Sequence, residues 1–168
     1  MGKKNIHNKT VSVGCWNFNW ATSSSKRGKF FQALFNTDLI CVTEGYESLL
    51  PRNGYIITSQ ENYGYQTSQG QRKVILWSKE KWDDIVDIGS IDMPSGRYIA
   101  GTTMGIRFIG VYITWEMAHV STGRKDRKQW EDHLSFIDKL SFSNTELVIL
   151  GDFNQHIPPI KQPSLVSS

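Results

Sequence analysis

The sequence is poor in cysteine and proline, and it contains no long apolar run. Two cysteines, Cys15 and Cys41, and five prolines occur among 168 residues. Two cysteines cannot build the disulfide framework of a small secreted domain, and these two form no metal-binding motif. Both lie in runs of β-branched and apolar residues, so we expect both to be free thiols in the core.

The chain also lacks the features of a membrane or secreted protein. No stretch approaches the ~18 apolar residues that a membrane span requires. The N-terminal segment MGKKNIHNKT has basic residues but lacks the apolar region of a signal peptide. We therefore expect no membrane partner and a cytoplasmic location.

A strong charge bias is lacking as well. Nineteen Lys and Arg residues stand against sixteen Asp and Glu residues, which leaves a net charge of +3. A dedicated nucleic-acid-binding domain is usually more basic, so charge alone does not choose the substrate. The 39% hydrophobic and 12% aromatic content excludes wholesale disorder.

The length and composition predict one domain. We expect a flexible basic N-terminus at 1–9, a folded domain at 10–154, and a Pro-rich, polar, poorly ordered tail at 155–168. The sequence does not indicate an oligomeric state.

Short apolar and β-branched runs alternate with polar segments along the chain. They predict strands at 10–16, 38–43, 55–59, 73–78, 84–91, 97–103, 106–115 and 146–150. Met104 and Gly105 suit a tight antiparallel hairpin between two of these strands. Apolar residues at helical spacing predict helices at about 24–36 and 122–140. These elements predict an α/β fold.

Polar side chains stand at the carboxyl ends of three predicted buried strands. Asn17 follows the first, Glu44 follows the second, and Asp152 and Asn154 follow the last. In sheets flanked by helices, ligands gather beyond the carboxyl ends of strands, so we expect these side chains to share one pocket. Neighbouring carboxylates repel each other unless a cation lies between them, and oxygen ligands suit Mg²⁺ or Mn²⁺.

Four blocks in this order, CWNFNWA, DLICVTEGY, FIGVYITW and ELVILGDFNQ, resemble the endonuclease/exonuclease/phosphatase superfamily, which includes abasic-site endonucleases and deoxyribonuclease I. The resemblance runs over about 11–157. It implies a sandwich of two mixed or antiparallel β-sheets flanked by helices. It also implies divalent-metal-dependent hydrolysis of phosphate esters, with a phosphodiesterase or nuclease acting on nucleic acid as the first expectation. Relatives also act on small phosphorylated molecules, which keeps the substrate open.

The resemblance assigns roles to the residues at the strand ends. Glu44 would ligate the metal, while Asn17 and Asn19 would hold the metal shell or the phosphate. Asn19 stands where relatives often carry Asp, which removes one charge. Asp152 would orient or deprotonate the attacking water, and Asn154 would donate a hydrogen bond to the phosphate or to that carboxylate. Because a metal-free acid cluster stores repulsion, we expect Glu44→Gln to abolish turnover with little change in stability.

Four further candidates each have an ordinary alternative. Tyr112 matches the tyrosine of the abasic-site branch, where it stabilises developing charge, but a buried tyrosine with a satisfied hydroxyl is equally common. His119 would contact phosphate, or it is a solvated loop residue. Arg72 and Arg124 are candidate substrate contacts, and a charged surface explains the segment GRKDRK around Arg124 equally well.

The resemblance also implies a late Asp-His pair, and the sequence ends without it. His156 follows GDFN too closely for that role and has no Asp before it. We therefore expect a truncated chain with an incomplete second sheet, and under-covered apolar surface near Ile149 and the end of 106–115. A non-catalytic remnant that at most binds phosphate is the alternative. Carboxylates of Glu44 and Asp152 lying far apart would favour a purely structural module.

Overall fold

The computed structural model describes residues 10–60, 68–86, 96–113 and 146–154. Within these ranges there are eight β-strands, one α-helix and two 3₁₀ helices. In chain order they are β1 (Val13–Asn17), α1 (Lys26–Phe31), a 3₁₀ helix (Gln32–Asn36), β2 (Leu39–Tyr46), a 3₁₀ helix (Glu47–Leu49), β3 (Tyr55–Thr58), β4 (Gln71–Ser78), β5 (Asp83–Val86), β6 (Tyr98–Thr103), β7 (Ile106–Tyr112) and β8 (Leu147–Asp152). None of the helices in this part of the chain is long and apolar enough to span a membrane.

The strands form two mixed sheets of four strands each. The first has the order β1-β2-β4-β3 and the second the order β5-β6-β7-β8. In each sheet one edge strand runs parallel to its neighbour, β1 beside β2 and β8 beside β7, and the other pairs are antiparallel. The turn between β6 and β7 has positive φ at Met104 (54°) and Gly105 (82°), as a two-residue type I′ hairpin requires.

The two sheets pack face to face. Two-residue alternation along β4 sends Val74 and Leu76 into the space between the sheets, while Ile75 and Trp77 face the other way. Phe108 and Ile99 enter the same space from the second sheet. A Cβ at Gly110 would lie only 2.5 Å from Val74 Cγ1, so the sheets are in direct contact. The predicted β-sandwich is confirmed.

A second apolar cluster covers the outer face of the first sheet. Phe31, at the end of α1, packs edge-on against Phe18 with ring centroids 4.8 Å apart, and both belong to a cluster that includes Ile40 and Trp77. The helix begins at a Ser25 cap, whose Oγ accepts a hydrogen bond from Gly28 N at 3.1 Å. The loop after β1, which carries Phe18 and Asn19, is therefore held against α1 and the outer face of the first sheet.

Several expectations need correction or lie outside the described residues. The helix predicted at 24–36 is α-helical only to Phe31 and ends as a 3₁₀ helix. The predicted under-coverage is wrong at the described end of 106–115, because Val111 and Ile113 are 0% and 1% exposed, whereas Ile149 is half-buried. Cys41 is a buried free thiol as predicted, but Cys15 is free and exposed, because β1 forms an edge of its sheet. The segments 1–9, 87–91, 114–115, 122–140 and 155–168 lie outside the described ranges.

Candidate active site

The candidate site lies where the parallel edge pairs of both sheets end. Asn17 is aligned with Thr43 at the end of β1 and β2, and Tyr112 is aligned with Asp152 at the end of β7 and β8. The Asn17 side-chain Nδ2 donates a hydrogen bond to Asp152 Oδ2, although 135 residues separate the two in sequence. The structure thus brings together polar side chains from the first and last strands, one from each sheet.

Glu44 reaches the cleft through a break in strand alternation. Ile40 and Val42 face the outer cluster, so regular alternation would send Glu44 to the same outer side. Instead Glu44 has φ 49°, and a Cβ at Gly45 would lie 2.5 Å from Val42 Cγ1, on the outer side. The alternation is therefore shifted by one residue, which turns Glu44 inward. A left-handed non-glycine residue costs roughly 1–2 kcal/mol, and such strain clusters at functional sites.

A buried ammonium group sits against Glu44. Lys73 Nζ lies 2.8 Å from Glu44 Oε1, and the two side chains are only 11% and 12% exposed. The same nitrogen lies 4.3 Å from the centroid of the Tyr112 ring and 4.8 Å from that of Trp20. Burial lowers the pKa of Lys73, while the carboxylate of Glu44 acts in the opposite direction. The site therefore contains a cation supplied by the protein itself.

Lys73 is a site residue that the sequence patterns did not indicate. The pairing of two strands could have indicated it. β2 and β4 are antiparallel, with Thr43 aligned with Val74 and Gly45 with Arg72. This register places Glu44 opposite Lys73. An acid and a base at opposed positions of neighbouring strands attract each other. Using that signal required the register, which the sequence does not give.

Tyr112 packs at the boundary between the sheets and the cleft. Its pKa is raised well above the usual range by burial and by the charge and hydrogen bond of Glu44, while Arg97 acts in the opposite direction. The Tyr112 ring and the Glu44 carboxylate both lie against the nitrogen of Lys73. The guanidinium carbon of Arg97 lies 5.1 Å from the ring centroid, which keeps a second cation beside the ring.

The GDFN turn fixes the carboxylate of Asp152. Asn154 N donates to Asp152 Oδ1 at 3.0 Å, and Asn154 Nδ2 donates to the carbonyl oxygen of Ile113 at 2.8 Å. Asn154 has φ 43°, a conformation that asparagine tolerates better than most residues. A Cβ at Gly151 would collide with the backbone of Val111, so only glycine lets β8 approach β7 this closely.

Four further residues were predicted to belong to the site: Asn19, Arg72, His119 and Arg124. Asn19 is exposed, and its backbone N–H donates to Asn17 Oδ1 at 2.8 Å, which orients the amide of Asn17. Arg72 forms an ion pair with Glu47, at the start of the 3₁₀ helix after β2, with Nη2 and Oε1 3.2 Å apart. His119 and Arg124 lie outside the described residues.

The donor atoms in the cleft suit a hard divalent cation. They are the carboxylates of Glu44 and Asp152 and the amide oxygen of Asn17, all oxygen ligands. Mg²⁺ is commonly held by one or two carboxylates, with waters and substrate phosphates completing its shell. Within the described ranges, no three or more His, Cys, Asp or Glu side chains group closely enough to hold a metal ion by themselves. In this structure the Glu44 carboxylate is paired with the ammonium group of Lys73.

No protein-family profile and no curated protein sequence matches the chain. Solved structures do match it. An AP endonuclease from Archaeoglobus fulgidus superposes with a TM-score of 0.61 at 18% identity, over 89% of this chain and 60% of that one. The 3′ phosphatase NExo from Neisseria, bound to a product DNA hairpin, gives 0.58 at 18% identity, over 86% and 58%. The chain has the endonuclease/exonuclease/phosphatase fold.

A third structure with this fold, beta toxin from Staphylococcus aureus with bound magnesium ions, gives a TM-score of 0.56 at 18% identity, over 89% of this chain and 67% of that one. The endonuclease/exonuclease/phosphatase fold expected from the four sequence blocks is thereby confirmed. The chain spans about three fifths of the length of the AP endonuclease and of NExo.

Proposed function

We propose that this chain hydrolyses phosphate esters with the help of Mg²⁺ or Mn²⁺, and that nucleic acid is its substrate. The observation that carries the proposal is the hydrogen bond from Asn17 to Asp152, which joins the ends of the two sheets. Solved structures with this fold support the proposal: one is an AP endonuclease, one is bound to a product DNA hairpin, and one contains magnesium ions.

Asp152 is the proposed base for the attacking water. One of its oxygens accepts from Asn17 and the other from the backbone of Asn154, so the carboxylate is held in a single orientation. An oriented carboxylate within reach of a water accepts its proton as the oxygen attacks phosphorus. Asn17 and Asn154 are then positioning residues for Asp152.

Glu44 and the amide oxygen of Asn17 are the proposed metal ligands. A bound divalent ion supplies charge neutralisation at the phosphate oxygens and at the leaving oxygen. The protonated phenol of Tyr112 is the proposed donor to the oxygen on which negative charge develops, since its raised pKa keeps the proton in place.

The surface of α1 favours a polyanionic substrate over a small phosphorylated molecule. Lys26, Arg27 and Lys29 are exposed, and Phe30, which follows Lys29, is 70% exposed. Exposed cations around an exposed aromatic ring suit a nucleic-acid strand, because phosphates pair with the cations and a base stacks on the ring.

The test compares cleavage of plasmid DNA, an abasic oligonucleotide, RNA and an inositol polyphosphate with Mg²⁺, with Mn²⁺ and with EDTA. We expect metal-dependent cleavage of a nucleic acid that falls by about 10²–10⁴-fold in Asp152→Asn, the usual loss for a general base. Asp83→Asn, an exposed acid on β5, is the matched control and should keep full activity.

Two outcomes would overturn the proposal, and a third would change its substrate. Full activity of folded Asp152→Asn would remove Asp152 from the chemistry. A folded wild-type chain that cleaves none of the four substrates would support the non-catalytic alternative, and preferential cleavage of the inositol phosphate would move the substrate to small molecules. The cytoplasmic location expected from the sequence stays a prediction, which cell fractionation tests.

A further inference from the structure

We propose that Lys73 is the resident cation of the site, which holds Glu44 in the metal-free protein and must leave Glu44 Oε1 when a divalent ion binds. The inference rests on the proposed function, since it takes Glu44 as a metal ligand. It adds a competition between the ammonium group of Lys73 and the metal ion for one carboxylate.

The geometry carries the proposal. The nitrogen of Lys73 lies 2.8 Å from Glu44 Oε1, and an Mg²⁺ ion bound to the same oxygen would lie about 2.0–2.1 Å from it. Two cations on one carboxylate repel each other, and the repulsion is strong because both side chains are nearly buried. The ion and the ammonium group therefore compete for that oxygen.

The surroundings of Lys73 set it apart from an ordinary ion pair. Its nitrogen lies against the rings of Trp20, from the loop after β1, and Tyr112, from the second sheet. By contrast, the pair between Lys79 and Asp38 has a separation of 3.1 Å and is 44% and 32% exposed. Lys73 is thus largely enclosed where the two sheets meet, and water screens its charge less than it screens the charge of Lys79.

The charge balance explains what this arrangement achieves. Lys73 pairs with Glu44, and its nitrogen lies against the ring of Tyr112, which is aligned with Asp152 at the end of β7 and β8. With Lys73 charged, this ammonium group, the carboxylates of Glu44 and Asp152, and the guanidinium of Arg97, which lies beside Tyr112, sum to zero. A divalent ion alone would change that sum to two positive charges, which a phosphate substrate then offsets. Lys73 therefore makes metal binding weak in the absence of substrate.

The experiment measures Mn²⁺ binding without substrate, from the paramagnetic resonance signal of free Mn²⁺ and by calorimetry. We expect Lys73→Met to bind Mn²⁺ about tenfold more tightly than wild type, because the competing charge is gone. Lys79→Met, which removes the same charge from an exposed ion pair after the same strand, should leave the Kd within about twofold. Glu44→Gln should weaken binding.

The outcomes separate the two claims. If Glu44→Gln binds Mn²⁺ as tightly as wild type, or if neither wild type nor Lys73→Met binds any, Glu44 is not a ligand and the proposed function fails. If Glu44→Gln weakens binding while Lys73→Met binds no more tightly than wild type, the competition is refuted and the metal site stands. Lys73→Gln, which removes the charge but keeps a hydrogen-bond donor, provides the same comparison if Lys73→Met does not fold.

Discussion

Substituting Glu44 by Gln in the metal-free protein should cost stability. The change leaves the ammonium group of Lys73 enclosed by two aromatic rings with an uncharged partner. The sequence alone led us to expect little change, because an acid cluster without metal stores repulsion. The structure reverses that expectation, since the charge nearest to Glu44 is positive and lies 2.8 Å away.

The magnitude follows from the burial of the pair. Removing one partner of a fully buried ion pair costs ~3–5 kcal/mol, because the remaining charge has lost its compensation. Here each side chain is about a tenth exposed. A Gln side-chain oxygen at position 44 can still accept a hydrogen bond from Lys73. We therefore expect a loss of about 1–3 kcal/mol in the free energy of unfolding.

Denaturant unfolding in buffer with EDTA measures this loss, since bound metal would add its own stabilisation to the wild type. Wild type, Glu44→Gln, Lys73→Met and the double variant complete a thermodynamic cycle. We expect the loss of unfolding free energy in the double variant to be smaller than the sum of the two single losses by about 1–2 kcal/mol. A Glu44→Gln variant within about 0.5 kcal/mol of wild type, or single losses that simply add, would refute the reasoning.

Two further predictions test the packing and a surface network. Gly110→Ala should destabilise the protein by about 1–3 kcal/mol through overpacking against Val74, and Val74→Ala in the same chain should recover part of the loss; a fully stable Gly110→Ala would contradict the close contact of the sheets. The pKa of Asp38 is held well below its usual range by hydrogen bonds from Ser12 and by Lys79. Its contribution to stability is therefore present above the unfolded pKa of about 3.9 and is lost as pH falls through the lower folded value. Wild type should accordingly exceed Asp38→Asn in stability from about pH 5 to 8, with the gap closing below about pH 4; a gap that widens in acid would contradict this assignment.

Part of the candidate site was predictable because it depends on strand ends. A buried strand followed by polar residues identifies Asn17, Glu44 and Asp152 without any knowledge of pairing. The parallel edge pairs then align Asn17 with Thr43 and Tyr112 with Asp152, so the ends of the strands meet. The sequence could not predict the partners within the cleft, because they come from distant parts of the chain.

The sequence by itself determined the strands, the β6–β7 hairpin and the order of the blocks, since each depends on local periodicity and turn chemistry. Only the tertiary structure decided that Lys73 lies against Glu44, 29 residues away, and that Asn17 donates to Asp152 across 135 residues. The same holds for the left-handed backbone at Glu44, which turns its carboxylate inward against the regular alternation. These features depend on the register of the strands and on how the two sheets meet, and local patterns do not encode either one.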